Sequence, residues 1–314
     1  MPFDTLLSVA GRLAVLHVQV QIKMLAAGAF DENVGALFHG SLGWAMHDVA
    51  PDLWQLGYGE LEQQDSRPFS ILPPKAPCQW LAGDLLCFEF VGLAQMSRQL
   101  PELVQSFIRM GERGLGYQRL GFTVQRVVQH TPHGQCLLWQ QHLSVLAMNY
   151  QSGLLHSALL QSVALSEQIP SDRMAVRVEC LSRLRLKEQG KVLQYAPSAV
   201  QVARAVCRRL LSVQHATDSE KDQLYQSIAN LAHIQIYQDN TRRSELRRYS
   251  QHQQQKHAIE GISGDWVYSG PQVKQLLPWL ALARWLHLGG KTSFGFGAIE
   301  WQVMVVDSGK SQAI

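Results

Sequence analysis

The feature that most limits how this chain can fold is a unit that occurs twice. Pro101 opens an apolar-faced helix running through Met110, a loop ends in Gly114-Leu115-Gly116, and an apolar segment spans Phe122 to Val128. Near the C-terminus, a stretch opened by Pro271, the triplet Gly295-Phe296-Gly297 and the alternating Ile299, Trp301, Val303 and Val305 repeat that order. The two triplets lie 181 residues apart. Apolar residues at helical spacing and then at period two read as helix followed by strand. Such a unit met twice implies a duplicated domain. Further strands are expected over Leu6–Lys23, Phe69–Leu72, Leu85–Val91 and Met174–Cys180. The order strand–helix–strand–strand–helix–strand predicts an α+β protein of two tandem ferredoxin-like domains, residues 1–150 and 151–314.

Charge divides the same way. Ser171 to Lys291 holds 18 Lys/Arg against 10 Asp/Glu, whereas the rest of the chain holds 10 against 15. A basic half beside an acidic one suits a polyanionic partner for the former. The five cysteines form no CxxC pair, which argues against zinc and against a disulfide framework. No apolar run is long enough to span a membrane and the N-terminus lacks a signal-peptide pattern, so a cytoplasmic protein is expected.

Four glycines fall within the nine residues Gly289 to Gly297, with Lys291, Thr292 and Ser293 among them. Main chain freed of Cβ atoms, with an ammonium and two hydroxyls, suits close approach of a phosphate backbone; Gly289, Gly290, Lys291, Thr292 and Ser293 are therefore candidate nucleic-acid contacts. The segment is not a nucleotide-binding P-loop, because Trp285 stands where that motif needs its first glycine. Arg183, Arg185 and Lys187 alternate with Leu184 and Leu186, which predicts a strand with three cations on one face. Arg247 and Arg248 precede Tyr249, a cation pair beside a ring that can stack on a base. Three histidines are acid/base candidates. His39 and His47 sit either side of Gly43 on a predicted helix ended by Pro51, and His287 follows the last long helix, whose terminal carbonyls favour an imidazolium. No histidine pair has a metal-ligand partner at recognisable spacing, so neither a metal nor a cofactor is expected.

These residues resemble the CRISPR-associated endoribonucleases of the RAMP superfamily. The resemblance is carried by LHLGGKTSFGFGAIEW at the C-terminus, LSRLRLK, RRYSQ before Gly261, the early FHGSLG, and GERGLGYQRLGF closing the first domain. It implies two RRM-type domains and cleavage of precursor CRISPR RNA within each repeat, without a metal. In such a reaction the upstream 2′-hydroxyl attacks the adjacent phosphate, leaving a 2′,3′-cyclic phosphate and a 5′-hydroxyl. The resemblance points to a histidine on the first helix, His47 or His39, and in one branch to a histidine before the glycine loop, matching His287. Repeat RNA, the retained crRNA and other CRISPR effector subunits are the partners it implies, in a prokaryotic cytoplasm. The alternative within the same superfamily is an inactive crRNA-binding subunit of an effector complex.

Overall fold

The computed structural model describes residues 2–59, 67–143, 153–250, 255–307 and 310–313. The first sheet is built from β1 (Val15–Met24), β2 (Phe69–Leu72), β3 (Leu85–Leu93), β4 (Phe122–Thr131) and β5 (Gly134–Gln140). Its spatial order is β2-β3-β1-β4-β5, every neighbour antiparallel. The helix α1 (Pro2–Gly11) precedes β1, α2 (Val34–Val49) and α3 (Pro51–Tyr58) fill the first crossover, and α4 (Leu100–Arg113) fills the second. The strand interiors explain the layering. Leu16, Val18, Val20 and Ile22 alternate toward α2 and α4, where they meet Phe38, Leu42, Leu103 and Phe107.

The second half repeats this plan. After α5 (Leu154–Glu167) come β6 (Met174–Cys180), α6 (Ala199–Leu211), α7 (Asp218–Ala229) and the edge strand β7 (Gln235–Asp239). A hairpin of β8 (Arg242–Ser250) and β9 (Gln255–Ser263) leads to β10 (Asp265–Ser269), α8 (Leu277–Leu286), β11 (Ile299–Asp307) and β12 (Lys310–Ala313). The sheet order is β7-β10-β6-β11-β12, again antiparallel. Both sheets therefore have the order of a ferredoxin-like fold with one strand added at the same edge.

Several local expectations change. Leu6 to Gly11 is helix rather than strand, because Leu6, Val9, Ala10 and Leu13 recur at helical spacing and pack into the core of the second sheet. Ser198 to about Tyr237 reads in sequence as a helical tract broken near Asp218; in the structure α7 stops at Ala229, a short 3-10 turn follows, and Gln235–Asp239 is an exposed edge strand paired with β10. Pro278, which in sequence suggests either a kink or a late helix start, lies in the first turn of α8, where its missing N–H costs nothing, and the late start is the outcome. Arg183 to Leu186 is extended but makes only isolated bridges, Leu184 to Ile262 of the hairpin and Arg185 to Gly289. Among the described residues no helix is long and apolar enough to cross a membrane.

The two domains meet along polar and apolar contacts. Arg209 of α6 is buried and donates to the carbonyls of Arg67 and Phe69 and to Ser70 Oγ. Burial lowers its pKa to about 10, so it still carries its charge at neutral pH. Arg183 pairs with Glu32, just ahead of α2, and donates to Ser244 of the hairpin.

Candidate RNA-processing site

The glycine-rich segment is clasped from two sides. On one, it lies against Arg183–Leu186: Gly290 donates its N–H to the Arg185 carbonyl at 2.9 Å, and Gly297 donates to that of Arg183 at 2.8 Å. A Cβ on Gly289, whose φ is +77°, would stand 2.2 Å from the Arg185 oxygen. On the other, Phe296 packs with Leu246 and Ile259 of the β8–β9 hairpin. The expectation of a cradle of free N–H groups is thus corrected at Gly290, whose donor is spent on protein backbone. Thr292 and Ser293 are buried, so their side chains do not form an open hydroxyl surface. The glycines serve close packing of one backbone on another.

The same segment reaches across to the first domain. The Phe294 carbonyl fits against Gly35 of α2 so closely that a Cβ there would be 2.0 Å from the oxygen. One turn on, His39 stacks on the Phe294 ring with centroids 3.9 Å apart and planes at 27°. Tyr58 and Phe69 enclose the imidazole further, at 5.0 and 6.0 Å. The Tyr58 hydroxyl donates to the His39 carbonyl at 2.7 Å, and burial raises its pKa, so it stays a phenol. Lys291 is exposed, with its ammonium 5.7 Å from the other partner of the stack, Phe294. A half-buried imidazole and an ammonium thus share one aromatic ring at the junction of the two domains.

The other histidines lie elsewhere. His47 is two turns along α2, about 12 Å by helix rise; it is exposed and sits edge-on to Trp54. His287 is 2% exposed. Burial pushes its pKa down to about 3, helped by His17 and Arg209 and opposed by Glu89. The expectation of an imidazolium held by the end of α8 is therefore overturned, because desolvation outweighs the helix terminus.

Among the cations, Arg185 is half-buried and its Nη1 is buried without a hydrogen-bond partner, Lys187 is exposed, and Arg183 is already engaged by Glu32 and Ser244. Arg247 and Arg248 lie on β8, but their side chains fall outside the described residues. Residues that sequence reasoning missed are Gly35, Tyr58, Glu32 and the ring of Phe294. The spacing of four between Gly35 and His39 was the available signal for the first.

Residues 178–299, from the end of β6 to the start of β11 and with the whole glycine segment inside, match the family model described as CRISPR-associated endoribonuclease Cas6. Over those residues the chain is similar to the Cas6 endoribonucleases. Residues 57–151 match a second family model, described as an N-terminal domain. No curated protein sequence matches the chain. Solved Cas6 structures share its fold. A Cas6 product complex is 15% identical with a TM-score of 0.58, over 91% of this chain and 99% of that one. Thermus thermophilus Cas6 is 14% identical with a TM-score of 0.54, over 92% and 98%. A partial Cas6-RT-Cas1–Cas2 complex contains a chain 12% identical with a TM-score of 0.62, over 96% of this chain and 48% of that longer one.

Proposed function

We propose that this chain is a Cas6-type protein that cuts precursor CRISPR RNA within its repeats, and that His39 is the acid/base group. The observation that carries the proposal is the stack of His39 on Phe294, which sets a half-buried imidazole beside Lys291 on a segment that touches both domains. His47 lacks that contact and His287 lacks access to solvent.

The reaction we assign needs no activated water, since the nucleophile is the substrate's own 2′-hydroxyl. Its oxygen attacks the adjacent phosphorus, the bond from phosphorus to the 5′-oxygen breaks, and a 2′,3′-cyclic phosphate and a 5′-hydroxyl result. One proton leaves the 2′-oxygen and one reaches the departing 5′-oxygen; a single imidazole is suited to one of these transfers. Lys291 and the unpartnered Nη1 of Arg185 are suited to the negative charge that builds on the phosphate oxygens. Lys187 is assigned to the RNA strand as well, Arg247 and Arg248 are assigned to it from the sequence alone, and we propose that the crRNA is retained. Because the nucleophile is internal, no metal is assigned a part in the cutting step. Precursor RNA is transcribed in the prokaryotic cytoplasm, the setting we assign, and other CRISPR effector subunits are the partners that a retained crRNA would bring.

The test is cleavage of a repeat RNA in excess EDTA, at a temperature well below the melting point of the chelated protein. Retained cleavage with cyclic-phosphate ends supports the proposal. Cleavage of a substrate carrying a 2′-deoxyribose before the cut contradicts it. Tight binding of repeat RNA with no cutting by the wild type would make the chain an RNA-holding subunit instead.

A further inference from the structure

The face of the first sheet turned away from α2 and α4 carries a cluster that the RNA-processing site does not use. Alternation along β1 sends His17, Gln19 and Gln21 to this face while their neighbours fill the core. Val18 pairs with Gln129, so His17 and His130 are the next residues along the β1–β4 ladder. Their rings lie 4.9 Å apart. On β3, Gln19 pairs with Glu89, which brings the Glu89 carboxylate diagonally to His17, where Oε2 is 2.7 Å from Nε2. One potential ligand atom from each of His17, Glu89 and His130 lies within 4.8 Å of the other two.

The second domain closes over this cluster. Trp285, the penultimate residue of α8, sits edge-on to His17 at 5.4 Å, and His287 follows two residues later. Among the described residues, Nδ1 of His17, Nε2 of His130 and Nδ1 of His287 are buried ring nitrogens that lack a hydrogen-bond partner. Buried polar atoms are rarely left unsatisfied without a reason such as an ion or an ordered water. His287 is itself 2% exposed, and both His17 and Glu89 act on it electrostatically.

We propose that His17, Glu89 and His130 form a binding site for one divalent transition-metal ion of the zinc class, set between the two domains. Two imidazoles and a carboxylate are a donor set that zinc accepts. Ligand atoms around a tetrahedral zinc stand about 3.3 Å apart, so the observed spacing needs only small side-chain adjustments. His287 lies outside the group of ligand atoms that meet within 4.8 Å, so the fourth position is assigned to water. Such an ion would tie together β1, β3 and β4 of the first sheet where Trp285 of the second domain packs against His17. Sequence spacing conceals the site, because residues 17, 89 and 130 come from three different strands.

The inference does not depend on whether the chain cuts RNA, and its test uses neither RNA nor turnover. Full-length protein freed of any affinity tag is stripped with chelator, dialysed, and titrated separately with Zn(II) and Co(II). The expected result is one tightly held ion per chain by elemental analysis, a visible Co(II) absorption band from protein nitrogen ligands, and a melting temperature that rises by roughly 5 °C at free zinc about 100-fold above Kd. The His17→Gln/His130→Gln double variant should lose the ion and the band. A His133→Gln variant, altered at a histidine outside the cluster, should keep both. Failure of the wild type to hold a stoichiometric ion overturns the proposal even if the double variant does not fold, and marks the cluster as water-filled. Retention of the ion by a folded double variant overturns it equally.

Discussion

Replacing Gly35 by alanine gives the sharpest consequence of the junction between α2 and the glycine-rich segment. The added Cβ would meet the Phe294 oxygen at 2.0 Å and its carbonyl carbon at 2.7 Å, where an ordinary contact is about 3.4 Å or more. Backbone cannot rotate away as a side chain can, so the segment must retreat from α2 by more than about 1 Å. The same residue, Phe294, stacks on His39, so retreat pulls the imidazole's neighbour and Lys291 out of place together. A displacement of that size at a reacting centre costs on the order of 10²-fold in rate. The matched control is Gly40→Ala in the same helix, where nothing lies within 4 Å of the new Cβ. There the substitution should stabilise the protein by about 0.5–1 kcal/mol through helix propensity and leave cleavage unchanged. Single-turnover cleavage of a repeat RNA, with thermal melts of both variants, is the assay. Wild-type cleavage by a folded Gly35→Ala protein would refute the reasoning.

Two other outcomes follow from the charged groups. Arg185→Ala should weaken repeat-RNA binding across sequences and reduce the slope of log affinity against log salt by about 1, as measured by a salt titration; an unchanged slope would mean that Arg185 touches no phosphate. Glu220, at the start of α7, is held down to about 2 by its hydrogen bonds to Arg12 of the segment after α1 and to the Thr217 backbone. A carboxyl whose folded pKa lies below its unfolded value stabilises the fold above the unfolded value, near 4.5, and that contribution fades as pH falls toward 2. The melting-temperature gap between wild type and Glu220→Gln should therefore be full at pH 7 and shrink between about pH 4.5 and 2; a gap independent of pH would contradict the pairing.

Much of the architecture was legible because it is written in local patterns. The doubled helix–glycine–strand unit predicts two ferredoxin-like sheets, and the alternation of Leu184 and Leu186 with cations marks the buried and open sides of that segment. The misread stretches lack such patterns. Gln235–Asp239 is exposed at every position, so no period-two burial distinguishes it from the helix before it. The first helix hides its role because its apolar stripe packs on residues about 200 positions away, including α7. At the site, glycine density located the segment, but the sequence could not say that Gly290 spends its N–H on Arg185 or that Phe294 is the contact for His39. The histidines were found without being ranked. Burial, which separates His287 from His39, depends on how two domains close, and the His17–Glu89–His130 cluster depends on strand order.

The most direct measurement is single-turnover cleavage and equilibrium binding of a repeat RNA by His39→Ala, beside His47→Ala. If His39 moves a proton at the scissile linkage, its loss slows cleavage by ~10²-fold or more while binding stays close to wild type and His47→Ala cuts normally. A His39→Ala protein that cuts at the wild-type rate would contradict the account.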